Sequence, residues 1–377
     1  MKKILFISTR NIFSKKFSGD IIGSQKIVKL FKKKHLLDIV SLGKEENLTQ
    51  KNIFIFKSPN FLFKIFNLLR SILNLEPLQF SLFYSARMRK FINEKANNYD
   101  VIFFYHIRSS QYLPINFKGK KIIEMGDLYS KNYKQTFKNL NFFNPLKYIY
   151  YLEYILVKKI ENRIFFKFDK IILFSKNEIK EVKKLFQKKI IQINVSINKM
   201  KNIYSFSKKN NKIIFIGNLR YLPNILAVKD FIINIMPKLK KKIPGLRIEI
   251  IGEVNHLNKI LFYFHRDVKF LGVQKNLEKF IKGSLCGLAN LKIASGMQGK
   301  VLTYMSYGLP VICSKNVAIN FNKSVITYSN SFNLIKKIEE LKYNKKFGQK
   351  FSIKSFKIVD KYKWDKVSKN YLKLVNY

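Results

Sequence analysis

Short, uninterrupted apolar runs recur along the chain, separated by longer stretches in which apolar residues return every three or four positions. Ile4 to Ile7 is the first such run. A strand that is apolar at every position, not at every second one, is buried on both faces, as in a parallel sheet. A polar loop with Ser18, Gly19 and Asp20 follows, and the spacing of Ile22, Ile27, Leu30 and Phe31 predicts a helix. Leu37 to Leu42 reads as the next strand, and strand–loop–helix–strand order indicates an α/β fold. Further strands are expected at 100–105, 121–124, 170–175 and 190–195, with a helix from about Pro145 to Phe168. Between Asn52 and Tyr84 the chain is rich in Phe and Leu, and Phe61 to Leu75 gathers its polar residues on one helical face. That pattern fits a helix facing the core or a basic amphipathic helix lying on a membrane surface.

The second half repeats the theme. Asn198 to Lys212 is polar and lysine-rich and reads as a linker; Lys212 to Arg220 then echoes Lys3 to Arg10 with one extra residue before the arginine. Strands follow at 247–252, 268–272 and 285–290. Gly308-Leu309-Pro310 closes another helix and opens the strand at Val311, since Gly suits a helix end and Pro the restart. The tail from Phe351 to Tyr377 is expected to be helical.

Composition sharpens this picture only in part. The 377 residues, 47% of them hydrophobic, are enough for two compact cores. The net charge of +50 fits either a lysine-rich compositional drift over tolerant surface positions or attraction to an anionic partner. A membrane surface would gain up to about 1 kcal/mol per well-placed cation. A nucleic-acid partner is not expected, because helix-turn-helix, zinc-spacing and aromatic RNA-binding signals are missing. Two distant cysteines, Cys286 and Cys313, argue for a reducing compartment without a disulfide framework. The opening residues read as a buried strand and not as a signal peptide, and no apolar run approaches the roughly 18 residues of a membrane span. The four histidines are scattered, so no metal site is expected. Arginine is scarce, and Arg10, Arg108 and Arg220 each follow a strand-like run, where ligand-binding loops sit.

Candidate chemistry concentrates between Leu291 and Cys313. A small Gly-containing loop, Ala294-Ser295-Gly296-Met297-Gln298-Gly299, runs into an apolar helix with Lys300 in its first turn. An ammonium there opposes the helix dipole unless an anion lies between them, and a helix start offers free N–H groups to a diphosphate. This stretch, through Gly308-Leu309-Pro310-Val311, resembles the nucleotide-binding segment of family 4-like glycosyltransferases of the GT-B fold, closest to the subgroup associated with exopolysaccharide and surface-glycan synthesis. The resemblance extends to Gly217-Asn218-Leu219-Arg220-Tyr221-Leu222-Pro223-Asn224, followed by a helix expected to end near Met236-Pro237, and to Ile250-Ile251-Gly252, Phe270-Leu271-Gly272-Val273 and Tyr362-Lys363-Trp364-Asp365. More loosely, it takes in Gly19-Asp20 and the Asp127, Ser130, Tyr133 spacing.

The resemblance implies an α/β GT-B architecture: two Rossmann-like doubly wound domains facing across a cleft, at 1–205 and 206–361, with a C-terminal helix at 362–377 crossing back to the first. It implies that Arg220 and Lys300 hold the donor diphosphate and stabilise the leaving nucleotide. Gly217, Asn218, Ser295, Gly296, Met297, Gln298 and Thr303 would line the donor site, Val273 the base edge, and Gly19 and Asp20 the facing domain. The family commonly carries Glu where this chain has Thr303 and Ser295, and many relatives carry a His in the loop after the strand at 122–124. Glu124 or Asp127 would stand in for that His, and His106 is a further catalytic candidate. The implied reaction moves a sugar from a UDP- or GDP-sugar to a glycan or lipid-linked acceptor, with retention and with no cofactor. Its setting would be surface polysaccharide or lipopolysaccharide synthesis, in the cytoplasm or peripherally on the inner face of the membrane. The missing carboxylates leave a second expectation open: a paralogue that binds nucleotide or glycan without turnover.

Overall fold

The computed structural model describes residues 1–14, 19–48, 50–255, 259 and 265–376. The chain forms two compact units, Met1–Asn194 with Val367–Tyr377, and Val195–Lys366.

The first unit is built on a seven-stranded sheet in the order β3-β2-β1-β4-β5-β6-β7. Its strands are β1 Lys3–Ser8, β2 Leu36–Gly43, β3 Ile53–Lys57, β4 Val101–Tyr105, β5 Lys120–Gly126, β6 Lys170–Leu173 and β7 Ile190–Gln192. Every neighbouring pair is parallel. The continuous apolar runs of β1 and β4 are buried along almost their whole length, with Phe6 stacked on Phe103, which is why they read as unbroken rather than alternating. Strand β3 was not anticipated. It is an edge strand, only partly buried, and its Ile-Phe-Ile-Phe run merges with the Phe- and Leu-rich stretch that follows.

That stretch forms the helix Phe61–Leu73, capped by the Asn60 side chain. Its inward-facing residues are Asn67 and Ser71, not its apolar ones, so the core-facing expectation fails. Asn67 Nδ2 donates to the carbonyls of Ser81 and Tyr84, which fastens the polar face to the segment behind it. The helix Leu146–Lys167 packs on the same unit and buries two carboxylates, Glu153 and Glu161. Glu161 accepts from the Ser130 N–H at 2.9 Å and from its hydroxyl at 2.5 Å.

From Val367 onward, the helix Trp364–Asn376 belongs to the first unit. The Lys120 ammonium donates to the Leu374 carbonyl at 2.7 Å, a cation set against the negative end of the helix. The Tyr371 hydroxyl donates to Glu124 Oε2 at 2.6 Å. Glu124 is 2% exposed, and burial pushes its pKa up to about 7. The carboxylate expected at the loop is thus covered by the helix that carries Tyr371 and packs in the core.

The second unit has a six-stranded parallel sheet in the order β10-β9-β8-β11-β12-β13. The strands are β8 Lys212–Ile216, β9 Arg247–Ile251, β10 Val268–Gly272, β11 Ser284–Ala289, β12 Val311–Ser314 and β13 Ile326–Tyr328. Its helical stretch beginning at Leu222 does not stop at Met236-Pro237 but runs on to Lys242. A π-helical turn over Phe231–Ile235 resets the hydrogen bonding, so Pro237 falls in the first turn of a new α-helical segment, where no N–H is required. The polar stretch expected as a linker is pinned to this unit: Met200 N–H and Ile203 N–H donate to the carbonyls of Ser306 and Tyr307. Among the described residues no helix is long and apolar enough to cross a membrane.

Glu124→Gln tests the packing of the C-terminal helix. The folded protein raises the pKa of this carboxyl from 4.5 to about 7, so ionising it costs stability, progressively from pH 4.5 and fully above pH 7. The variant should match the parent near pH 4.5 and be more stable by roughly 3 kcal/mol at pH 8, as read by denaturant unfolding. An advantage independent of pH would contradict this.

Candidate functional site at the carboxyl ends of the strands

In each sheet the strand order reverses beside the first strand of the unit, between β1 and β4 and between β8 and β11. Loops leaving the carboxyl ends of such a pair diverge and open a binding crevice. The candidate residues lie on these four loops and on their neighbours.

In the second unit the loop after β8 begins at Gly217, and the loop after β11 leads into the helix Gly299–Ser306. The helix begins after Gln298 with no side-chain cap, and its Val301 N–H donates to the Gln298 carbonyl at 3.0 Å. A Cβ added at Gly299 would meet nothing within 4 Å, so the approach to this helix end is open. The helix is anchored from below by Tyr304, whose ring lies 2.3 Å from where a Gly287 Cβ would stand. It closes on Gly308 at φ +71°, with Gly308 and Leu309 N–H donating to the carbonyls of Met305 and Tyr304.

This frame aims Lys300 back beneath the loop of β8. Its Nζ donates to Asn224 Oδ1 at 2.6 Å and sits 4.2 Å from the centre of the Phe215 ring. Burial pushes its pKa down from 10.5 to about 7. A chain of contacts then leads to Arg220. Asn224 Nδ2 donates to the Asn218 carbonyl at 2.8 Å, Asn218 Nδ2 donates to Glu253 Oε2 at 3.1 Å, and Glu253 pairs with Arg220 at 3.2 Å. The two expected cations therefore belong to one network, with Lys300 inside and Arg220, 62% exposed, at its outer end. Backbone clearance here is minimal: Gly252, at φ +145°, would place a Cβ 2.1 Å from the Gly217 oxygen.

The remaining expected residues of this unit surround the same end of the sheet. Ser295 and Met297 are buried; the Ser295 carbonyl accepts from Gln298 Nε2 and the Gly296 carbonyl from Asn320 Nδ2. Thr303 donates its hydroxyl to the Gly299 carbonyl in its own helix. Val273 follows Gly272 at the end of the edge strand β10, two strands from β8, and is more than half exposed. Sequence reasoning gave no role to Asn224 and Glu253, which hold the two cations. Asn224 was visible within the Gly217–Asn224 motif, but nothing in the sequence set Glu253 apart from other surface carboxylates.

In the first unit the loop after β1 carries Arg10, which pairs with Asp20 in the first turn of the helix Gly19–Lys32. The space around Gly19 is open, and the Asp20 carbonyl accepts from the Tyr105 hydroxyl at 2.7 Å. His106 ends β4 with φ +67° and ψ 156°, a backbone conformation costly for a residue with a Cβ. Its Nδ1 is buried without a hydrogen-bond partner. Burial first, then the charges of Asp20, Arg108 and Arg10, set its pKa at about 4, so the ring is neutral at neutral pH. Asp127 follows Gly126 at the end of β5, the next strand of the sheet, and its loop is held by buried glutamates: Leu128 N–H donates to Glu178 and Ser130 N–H to Glu161. Gly19, Asp20, His106 and Asp127 thus share one end of the sheet, while Glu124 is turned away into the core. Arg108 is engaged with Gln79 and the Phe83 ring. His256 and Ser18 lie outside the described residues.

Comparison with known proteins bears on this arrangement. Residues 210–342, which include the whole Lys300–Arg220 network, match the family described as glycosyl transferases group 1. Over those residues the sequence is similar to that family, and by fold the chain is GT-B. Solved structures similar along the whole chain include sucrose-phosphate synthase from Thermosynechococcus elongatus, with TM-score 0.72, 12% identity, and coverage of 100% of this chain and 98% of that one. Anabaena HepE in complex with UDP and glucose gives TM-score 0.66 at 12% identity, with both chains covered completely. WaaG, a glycosyltransferase involved in lipopolysaccharide biosynthesis, gives TM-score 0.64 at 12% identity over 97% of this chain and 98% of that one. Among curated proteins, the DNA-directed RNA polymerase subunit beta' of Oedogonium cardiacum is 24% identical over 308 residues, or 79% of this chain. This chain spans only 14% of that subunit's length. A match over so small a share of that subunit assigns no function to this chain.

The GT-B chain keeps Lys300 at a cost in stability that depends on pH. The unfolded lysine titrates near 10.5 and the folded one near 7, so the penalty is complete below pH 7 and vanishes above 10.5. Lys300→Met should therefore stabilise the nucleotide-free protein by roughly 3–5 kcal/mol at pH 6, less about 1 kcal/mol for the lost Asn224 bond. The gain should fade towards pH 10; denaturant unfolding at both values is the check, and destabilisation at pH 6 would contradict it.

Proposed function

We propose that the protein transfers a sugar from a nucleoside-diphosphate sugar to a glycan or lipid-linked acceptor. The observation that carries this reading is a buried ammonium with little counter-charge, set beside an uncapped helix start at the switch point of a parallel sheet. As the bond between the sugar and the diphosphate breaks, negative charge collects on the departing phosphate. Lys300 is placed to neutralise it from below and Arg220 from the rim, while the N–H groups at the start of the Gly299–Ser306 helix bind the phosphate oxygens. Gly217 and Gly252 give the backbone room to approach, Gly296, Met297 and Gln298 border the sugar, and Val273 meets the base. With two side-chain cations supplying the counter-charge, turnover should persist in the presence of EDTA. Retention is supported by the resemblance to family 4-like enzymes.

UDP-sugars are the favoured donors, because HepE, similar in fold, was crystallised with UDP and glucose. A surface-glycan acceptor is favoured by the likeness to WaaG, described as acting in lipopolysaccharide biosynthesis. The first unit takes the acceptor side, where His106 and Asp127 are the groups able to orient or deprotonate an acceptor hydroxyl, with Gly19 and Asp20 beside them. Peripheral contact with an anionic membrane on its cytoplasmic face would bring such an enzyme to a lipid-linked acceptor.

One observation favours nucleotide binding without turnover: Thr303, standing where relatives carry a carboxylate, spends its hydroxyl on its own helix. Titration with UDP and GDP beside a donor-hydrolysis assay separates the two readings, since tight binding with no turnover on any acceptor supports the second. For the transferase, Lys300→Ala and Arg220→Ala should each lower turnover about a hundredfold or more, the scale of losing a charge-stabilising group. Near-normal turnover in either variant removes that residue from the site.

A further inference from the structure

We propose that the outward face of the helix Phe61–Leu73 inserts into the interface of an anionic lipid bilayer. This helix is inside out. Phe61, Leu62, Phe63, Phe66, Leu69 and Leu73 are each more than half exposed, whereas the residues it buries are Asn67 and Ser71. A helix that spends hydrogen bonds from Asn67 to hold its polar face inward, and leaves phenylalanines in water, has placed its apolar surface for an apolar environment outside the protein.

The charge behind this face selects the occupant. Between this helix and the helix Leu146–Lys167 lies a groove of about 530 Å³, whose lining includes Arg70, Arg89, Lys121, Arg163 and Lys167; Arg70 pairs with Glu76 and Lys121 with Asp169, and the groove keeps an excess of cations. Cations at the border of an apolar helical face meet lipid phosphates when the face is inserted. A second copy of the chain is disfavoured, because each molecule carries a formal charge of +50. The surface and the sugar chemistry fail separately: the lipid contact involves none of the nucleotide-site residues, so docking and turnover can be lost independently.

Flotation with vesicles of phosphatidylcholine, with and without phosphatidylglycerol, tests the proposal on the full chain. The parent should float with the anionic vesicles, and Phe63→Ser/Phe66→Ser/Leu69→Ser should lower its partitioning at least tenfold. Because these side chains are exposed, the variant should keep the parent's melting temperature and its UDP-induced thermal shift. A second measurement uses the single tryptophan. Phe66→Trp in a Trp364→Phe background should be quenched by bromine-labelled acyl chains. Failure of the parent to bind anionic vesicles, partitioning of the triple variant equal to the parent, or an unquenched Trp would each overturn the insertion. Lipid-free self-association that the triple variant abolishes would overturn it in favour of a second copy.

Discussion

A desolvated ammonium is expensive, and the second unit is arranged around one. The amine of Lys300 has a single amide oxygen and an aromatic face in place of its hydration shell, and its pKa has fallen to about 7 as a result. Neither partner carries a negative charge. A buried cation without an ion pair gains from a nearby anion, because the anion restores what burial removed, and this is the basis of the diphosphate site proposed above. The surrounding features serve that placement: an open Gly299, a buried Tyr304 that fixes the helix axis, a Gly308 that ends it after two turns, and close glycine contacts that bring the loops of β8 and β9 alongside.

The first unit follows the same logic with different means. Its carboxyl-end loops are held from within by carboxylates, Glu161 on Ser130 and Glu178 on Leu128. His106 is kept in a strained backbone geometry with a buried, unpartnered ring nitrogen. Strain and an unmet polar atom at the end of a central strand are retained when a ligand is to use them. The inverted helix Phe61–Leu73 is a third departure from ordinary packing in the same unit.

Much of the fold was legible in the sequence because a strand buried on both faces leaves an unbroken apolar run. β1, β4, β8 and β11 were visible for that reason. β3 was hidden because its edge position weakens the signal and its neighbours are equally rich in Phe and Leu. Pro237 looked like a helix end because sequence spacing does not show a π-helical turn that moves the proline to a tolerant position. The direction of the helix Phe61–Leu73 was equally out of reach, since periodicity shows that two faces differ but not which one meets the core. Within the site, Lys300 and Arg220 stood out through motif and scarcity. Asn224 and Glu253, which hold them, did not. Glu124 looked available at the end of a strand, and only the distant Tyr371 explains why it is covered.

The most direct test is an NMR titration of the Lys300 side-chain amine, first in the free protein and then with UDP bound. The account predicts a midpoint near 7 in the free protein, rising by at least about one unit once the diphosphate is in place. A midpoint close to the ordinary lysine value of 10.5 in the free protein, or one that UDP leaves unmoved, would contradict it.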